Sequence, residues 1–191
     1  MSATSAPFGL RPAFHPSGLD RAQALAGGIA SAYADNILKG QAITYVQATG
    51  NIEIVAGTEA FSGAFAGVEW TDVTGRRRVS NFWPANTAYQ TGSCVAYFYN
   101  DPNIVYEIQT DATVAQTTLG NEANLSNLNA GSTSTGLSQA TLSASMVGTG
   151  VQGQMRIVDL APYADNAWGD PFVIVRATVA KTQFVAPSVA I

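Results

Sequence analysis

The chain is written in short runs of β-branched and aromatic residues, each closed by turn-forming residues, and this rhythm points to an all-β fold. Q-A-I-T-Y-V-Q-A (41–48) leads into the turn A-T-G-N (48–51), and N-I-E-I-V-A-G follows with Ile52 and Ile54 on one face. A-F-A-G-V-E-W (64–70) and R-V-S-N-F-W-P (78–84) flank T-D-V-T-G-R, which predicts a hairpin with Gly75 in its loop. S-C-V-A-Y-F-Y (93–99) and N-I-V-Y-E-I-Q (103–109) flank N-D-P-N, and their residue-by-residue alternation is the clearest hairpin pattern in the chain. Residues 110–150 are Ser, Thr, Asn, Gly and Ala with only two charges, Asp111 and Glu122, and predict short strands and long loops rather than a charged disordered tract. G-Q-M-R-I-V-D-L (153–160) and P-F-V-I-V-R-A-T-V-A (171–180) close the series, the second as a near-continuous apolar run suited to a central strand. The one helix candidate, residues 19–34, is interrupted by Gly27-Gly28. The fold expected is mainly β, a small antiparallel β-barrel or sandwich with long loops.

The first 18 residues differ from the rest. Pro7, Pro12 and Pro16 fix their own backbone and push the preceding residues toward extended conformations, while Phe8, Leu10 and Phe14 supply apolar bulk. They predict an extended N-terminal arm (1–18) ahead of a single β-rich domain (19–191). Such an arm can bind a partner by adding a strand or by seating aromatic anchors in its grooves, with the prolines lowering the entropy lost on docking. Pro7, Phe8, Leu10, Arg11, Pro12 and Phe14 are then the contact residues. The other possibility is an arm folded onto its own domain.

The chain has 191 residues, with 47% apolar and only 12% charged, against about 25% charged in an ordinary soluble domain. That composition suits a small β protein rich in Ala, Gly, Ser and Thr, or, the sharper reading, a surface largely covered by partners. A net charge of −4 and no basic tract on the global scale argue against nucleic acid as a partner. No apolar stretch reaches the roughly 18 residues of a membrane helix, and no secretory signal opens the chain. The single Cys94 excludes an intramolecular disulfide framework, so synthesis and folding in a cytoplasm are expected.

Catalytic chemistry is sparse. The one histidine, His15, lies in the proline-rich segment and suits a solvent or interface position better than a general base. Cys94 heads an apolar strand, where a buried structural thiol is usual, and His15 and Cys94 together are too few for a zinc site. Glu53, Glu59 and Glu69 are spread over different strands, while Asp101, Glu107 and Asp111 surround one predicted hairpin. A glycosidase needs two carboxylates about 5–9 Å apart, but pairs of this kind arise in any chain of this length. No phosphate-binding glycine motif opens a helix. No enzyme activity, cofactor or metal is expected. Arg76, Arg77 and Arg78 form the densest charge, at a hairpin edge, either as a solvated edge that blocks unwanted strand pairing or as a contact with an acidic partner.

Taken in order, A-P-F-G-L-R-P, G-V-E-W-T-D with its G-R-R turn, S-N-F-W-P-A, D-P-N-I-V-Y-E-I-Q, G-N-E-A-N-L (120–125) and A-W-G-D-P-F-V-I-V-R resemble the head decoration, or structural cement, proteins of tailed bacteriophages. The resemblance spans most of the chain; residues 126–150 do not contribute to it and Asp20–Tyr33 departs from the family pattern. It implies a β-rich protein on the capsid exterior, commonly trimeric, seated on the lattice of the major capsid protein and made in the bacterial host cytoplasm. It carries over no catalytic residues. Rival expectations are a glycan-binding or cell-surface adhesin module, with Trp83, Tyr97, Tyr99 and Tyr106 as an aromatic platform, and another virion part such as a tail or fibre subunit.

Overall fold

The computed structural model describes residues 4–17 and 24–185. Two antiparallel six-stranded sheets dominate it. The first runs in the order β1 (Arg11–Phe14), β8 (Val105–Gln109), β14 (Ile174–Val179), β13 (Met155–Leu160), β9 (Glu122–Ser126) and β12 (Thr141–Met146). The second runs β2 (Ala24–Gly27), β7 (Val95–Tyr99), β5 (Gly63–Thr71), β3 (Ala42–Tyr45) and β4 (Ile52–Ile54), with β6 (Arg77–Ser80) also paired to β5. A two-residue ribbon, β10 (Gly131–Ser132) with β11 (Leu137–Ser138), lies apart from both. The architecture is mainly β and sandwich-like; the sheets do not close into a barrel.

Strand alternation divides the interior into two cores. Ala42 and Ala64 of the second sheet join Tyr106, Ile108, Ile157 and Val175 of the first in one buried cluster. Their sequence neighbours Ile43 and Phe65 point the other way, into a second cluster with Ile29, Ile37, Val68, Trp70, Trp83 and Phe98. The second sheet is therefore buried on both faces: the first sheet packs on one side and the loops around residues 29–37 and 83–89 on the other. Trp83 anchors the loop side, edge-on to Trp70 at 5.4 Å and to Tyr89 at 5.9 Å between ring centroids.

Two local hairpins form as the sequence predicts. β3 pairs β4 with Ile43 opposite Ile54, and β5 pairs β6 with Trp70 opposite Arg78. β14 is central, between β8 and β13, although its side chains alternate buried and half-buried rather than being enclosed on both faces. Residues 110–150 are short strands and loops with one 3-10 turn at Gln116–Thr118.

The 93–109 hairpin does not form. N-D-P-N does turn, because Asp101 Oδ1 accepts the Asn103 N–H at 2.8 Å. The turn, however, carries the chain from the second sheet to the first, so β7 and β8 never pair. All five residues of β8 are buried, and it needs a strand on each side and cover on both faces. β1 and β14 supply the flanks, while β7 is already held between β2 and β5. The crossing is tight: a Cβ on Gly63 would lie 1.6 Å from the Tyr99 carbonyl oxygen.

The helix expected over 19–34 is also overturned where it is described. Residues 24–27 form β2, in register with β7 from Ala24↔Tyr99 to Gly27↔Ala96, and sheet pairing outweighs a helix pattern already weakened by two glycines. Residues 18–23 lie outside the described residues.

The N-terminal segment is not a free arm. It is extended, as its prolines require, but β1 is an edge strand of the first sheet, antiparallel to β8. Leu10 is 1% exposed and belongs to the first core. Its N–H donates to Gly40 O at 2.7 Å. Gly9 adopts φ +72°, and a Cβ there would stand 2.6 Å from that same Gly40 oxygen. Upstream, the Gln109 side chain accepts from Ala6 N–H at 2.8 Å and donates to Thr4 O at 3.0 Å.

Candidate interface around the N-terminal strand

Sheet register builds this region. Across four neighbouring strands, Asp159 of β13 stands opposite Arg176 of β14, Arg176 opposite Glu107 of β8, and Glu107 opposite Arg11 of β1. The outer face of the first sheet thus carries a row of alternating charge, each pair at cross-strand distance. A second row follows, with Arg156 of β13 opposite Glu122 of β9 and ion-paired to it at 2.6 Å.

Glu107 is the centre of the first row and is only 7% exposed. Arg11 Nη2 and the Tyr163 hydroxyl each donate to its Oε2 at 2.6 Å, and Arg176 Nε stands 3.5 Å from its Oε1. Burial pushes the Glu107 carboxyl up, but the Tyr163 and Arg11 hydrogen bonds and the charges of Arg11 and Arg176 outweigh it and hold it below the usual range. The same hydrogen bond, with burial, raises the Tyr163 phenol. Each arginine also covers an aromatic ring of the N-terminal segment: Arg11 lies 4.4 Å from the centroid of Phe8, and Arg176 lies 5.2 Å from that of Phe14. One buried carboxylate and two guanidinium groups thereby fasten both ends of β1.

Beside β1 opens a groove of about 260 Å³. Phe8, Leu10, Pro12, Phe65, Tyr99 and Leu137 line it together with Lys39 and Arg11; no carboxylate does. Lys39 is exposed and makes no ion pair among the described residues.

Four sequence-predicted contact residues, Phe8, Leu10, Arg11 and Pro12, meet at this groove. Leu10 forms its floor and is withdrawn into the core, so it is not an anchor for another molecule. Phe14 stays 40% exposed, next to Arg176. Pro7 is half-buried and sits outside the groove lining.

The three arginines of the β5–β6 turn are exposed and lie in the other sheet. Arg77 pairs with Glu69, and Arg78 Nε binds Asp72 Oδ2 at 2.9 Å. Asp72 also closes the turn: its Oδ1 accepts the Thr74 hydroxyl at 2.6 Å and the Arg76 N–H at 3.0 Å. These bonds, that from Thr74 foremost, hold its carboxyl far below the ordinary value. Hydrogen bonds from Arg77 and then Tyr97 lower the Glu69 carboxyl in the same way. Two of the three arginines therefore meet acids of their own hairpin, and the side chain of Arg76 makes no ion pair among the described residues.

His15 and Asp111 have structural partners. His15 Nε2 stands 3.1 Å from Asp101 Oδ2 and its Nδ1 2.6 Å from Ser17 Oγ. Asp111 accepts from Ala144 N–H and Ser126 Oγ, both at 2.8 Å. Cys94 is half-buried against the second core, and burial pushes its thiol up, away from the reactive thiolate. Glu53 and Glu59 line a shallow dish with Tyr45 and Gln183. Trp83 and Tyr106 are fully buried, so the four-aromatic platform of an adhesin is not presented. Among the described residues no group of three or more His, Cys, Asp or Glu side chains is placed to hold a metal, and no helix is long and apolar enough to cross a membrane. Neither a family model, nor a curated protein, nor a solved structure matches the chain.

Sequence reasoning passed over Lys39, Leu137, Tyr163 and Arg176 as site residues. Only the alternation around Arg176 was available to flag it, as a charged residue inside an apolar run.

Proposed function

We propose that the chain is a structural protein of a bacteriophage head. It decorates the outside of the capsid as a homotrimer and cements neighbouring subunits of the major capsid protein, after synthesis in the host cytoplasm. The ordered sequence resemblance motivates this reading. The observation that carries it is the character of the surface: five arginines, Arg11, Arg77, Arg78, Arg156 and Arg176, are paired with acids of the chain itself, while Phe14, Val73, Val79, Val151 and Val158 stay exposed. A surface with few charges, 12% of the chain, and scattered apolar side chains loses little on being covered by protein. Phe8, Arg11, Pro12 and Phe14 are the contact residues of this reading, with Arg76 as the free charge of the hairpin.

The test is to image particles produced by the genome that encodes this chain, with and without its gene. The expected result is the loss of protrusions from the outside of the head, together with lower resistance of the capsid to heating. Finding the chain in the tail or fibres, or in no particle, overturns the proposal. Light scattering that shows a monomer in concentrated solution, with monomers also on the capsid, removes the trimer.

A further inference from the structure

We propose that the groove beside β1 receives a bulky apolar side chain directly followed by a carboxylate, presented by a segment of another protein. Only the source of that segment rests on the proposed function; the chemistry rests on the groove itself. Its volume, about 260 Å³, gives room for one large side chain rather than for a folded element. Its floor is rigid: Leu10 and Phe65 are each 1% exposed and belong to the two cores. A preformed apolar slot needs little reordering on binding.

The charge of the lining decides what accompanies the apolar group. In a chain of net charge −4, this groove holds two cations and no carboxylate. Arg11 is committed to Glu107 and Tyr163, which leaves exposed Lys39 as the unpaired cation of the lining. A carboxylate next to the inserted side chain would pair with it. The neighbouring edge favours a side chain over an added strand. β1 is four residues long, contains Pro12, and breaks register between Pro12 and Phe14, all of which discourage strand addition.

The experiment titrates the whole protein, isotope-labelled on methyl groups, with four probes: acetyl-phenylalanyl-aspartyl amide, its asparaginyl analogue, acetyl-alanyl-aspartyl amide, and octanoate. The expected result is a shift of the Leu137 and Leu10 methyl signals with the phenylalanyl-aspartyl probe. The asparaginyl probe binds about two- to fivefold more weakly, as for one exposed ion pair, and the alanyl probe leaves the signals unmoved. Lys39→Gln removes the preference for aspartate and Lys39→Arg keeps it. No methyl shift with any peptide, or equal binding of the two phenylalanyl probes, overturns the proposal. Tighter binding of octanoate also overturns it and makes the ligand a small amphiphilic acid. If Lys39→Gln abolishes the preference while particles carry the variant at wild-type occupancy, the groove assignment stands and the capsid is not the source of the segment.

Discussion

Two arginine clusters use the same chemistry at different depths and over different sequence separations. Around β1, Arg11 and Arg176 converge on a Glu107 that is nearly buried. At the β5–β6 turn, exposed Arg77 and Arg78 pair with Glu69 and Asp72, whose carboxylates are only half-buried. The first cluster ties together strands distant in sequence and holds the N-terminal strand on the fold. The second joins residues at most eight apart, which the hairpin already brings together. Depth and sequence separation, more than charge count, decide what an ion pair contributes.

The largest effect should come from removing what the first cluster holds. Deleting residues 1–14 takes away β1 and uncovers the Leu10 site; loss of a buried leucine alone costs about 2–5 kcal/mol. We expect the truncated protein to be unfolded or less stable by more than about 4 kcal/mol in urea titrations. A truncated protein with the wild-type midpoint would show that β1 is a docking arm after all.

Glu107→Gln keeps the shape and strands two guanidinium groups beside a neutral amide. Breaking a fully buried pair costs about 3–5 kcal/mol, but the Arg11 side chain is 49% exposed, so a loss of about 2 kcal/mol is expected. A change below about 0.5 kcal/mol would place this cluster with the surface one. The pH dependence sharpens the point. The Glu107 carboxyl is lowered in the folded protein, so its contribution is fully present above the unfolded value, about 4.3, and is lost as pH falls through the folded value. The stability gap between wild type and Glu107→Gln should therefore stay constant near neutrality and narrow below about pH 4. A gap that persists at pH 2 would mean that shape, not charge, carries it.

The smallest effect belongs to the turn. Changing Arg77 and Arg78 together to Ser should leave the melting temperature almost unmoved in 0.15 M salt, because both pairs are solvated and screened. A large drop would show the hairpin to be as dependent on its ions as β1 is. Asp72→Ala should exceed the double arginine change, since it also removes the acceptor for the Thr74 hydroxyl and the Arg76 N–H.

The same contrast explains what was readable in the sequence. β3–β4 and β5–β6 follow from alternation and turn residues because both partners lie within one window. The alternation of 93–99 and 103–109 is real, but alternation reports which face is apolar and not which strand lies alongside. N-D-P-N supplies a turn and nothing that says whether the chain returns to the same sheet. Leu10 was visible as an apolar residue among prolines; that Gly9 lets it slip under Gly40 depends on a fold nobody reads from seven residues. The Glu107 site was hidden for the same reason, its Arg11 partner standing 96 residues away. By contrast, the exposed arginine triplet was located correctly because it is a local feature.

The pairing of β1 with β8 also sets an order of events. A chain leaving the ribosome presents Arg11–Phe14 long before the strand that receives it, which begins at Val105, and before the next strand in that sheet, β14, which begins at Ile174. β1 cannot find its final place until β8, about 90 residues later, exists. Contacts that close loops this long slow folding into the range of milliseconds to seconds. Meanwhile the second sheet, complete by Tyr99, has its strands in hand before the first can assemble. The prolines at the front would then serve the waiting chain as much as the finished one: a segment that neither coils into a helix nor readily joins a foreign sheet reaches its late partner unspent.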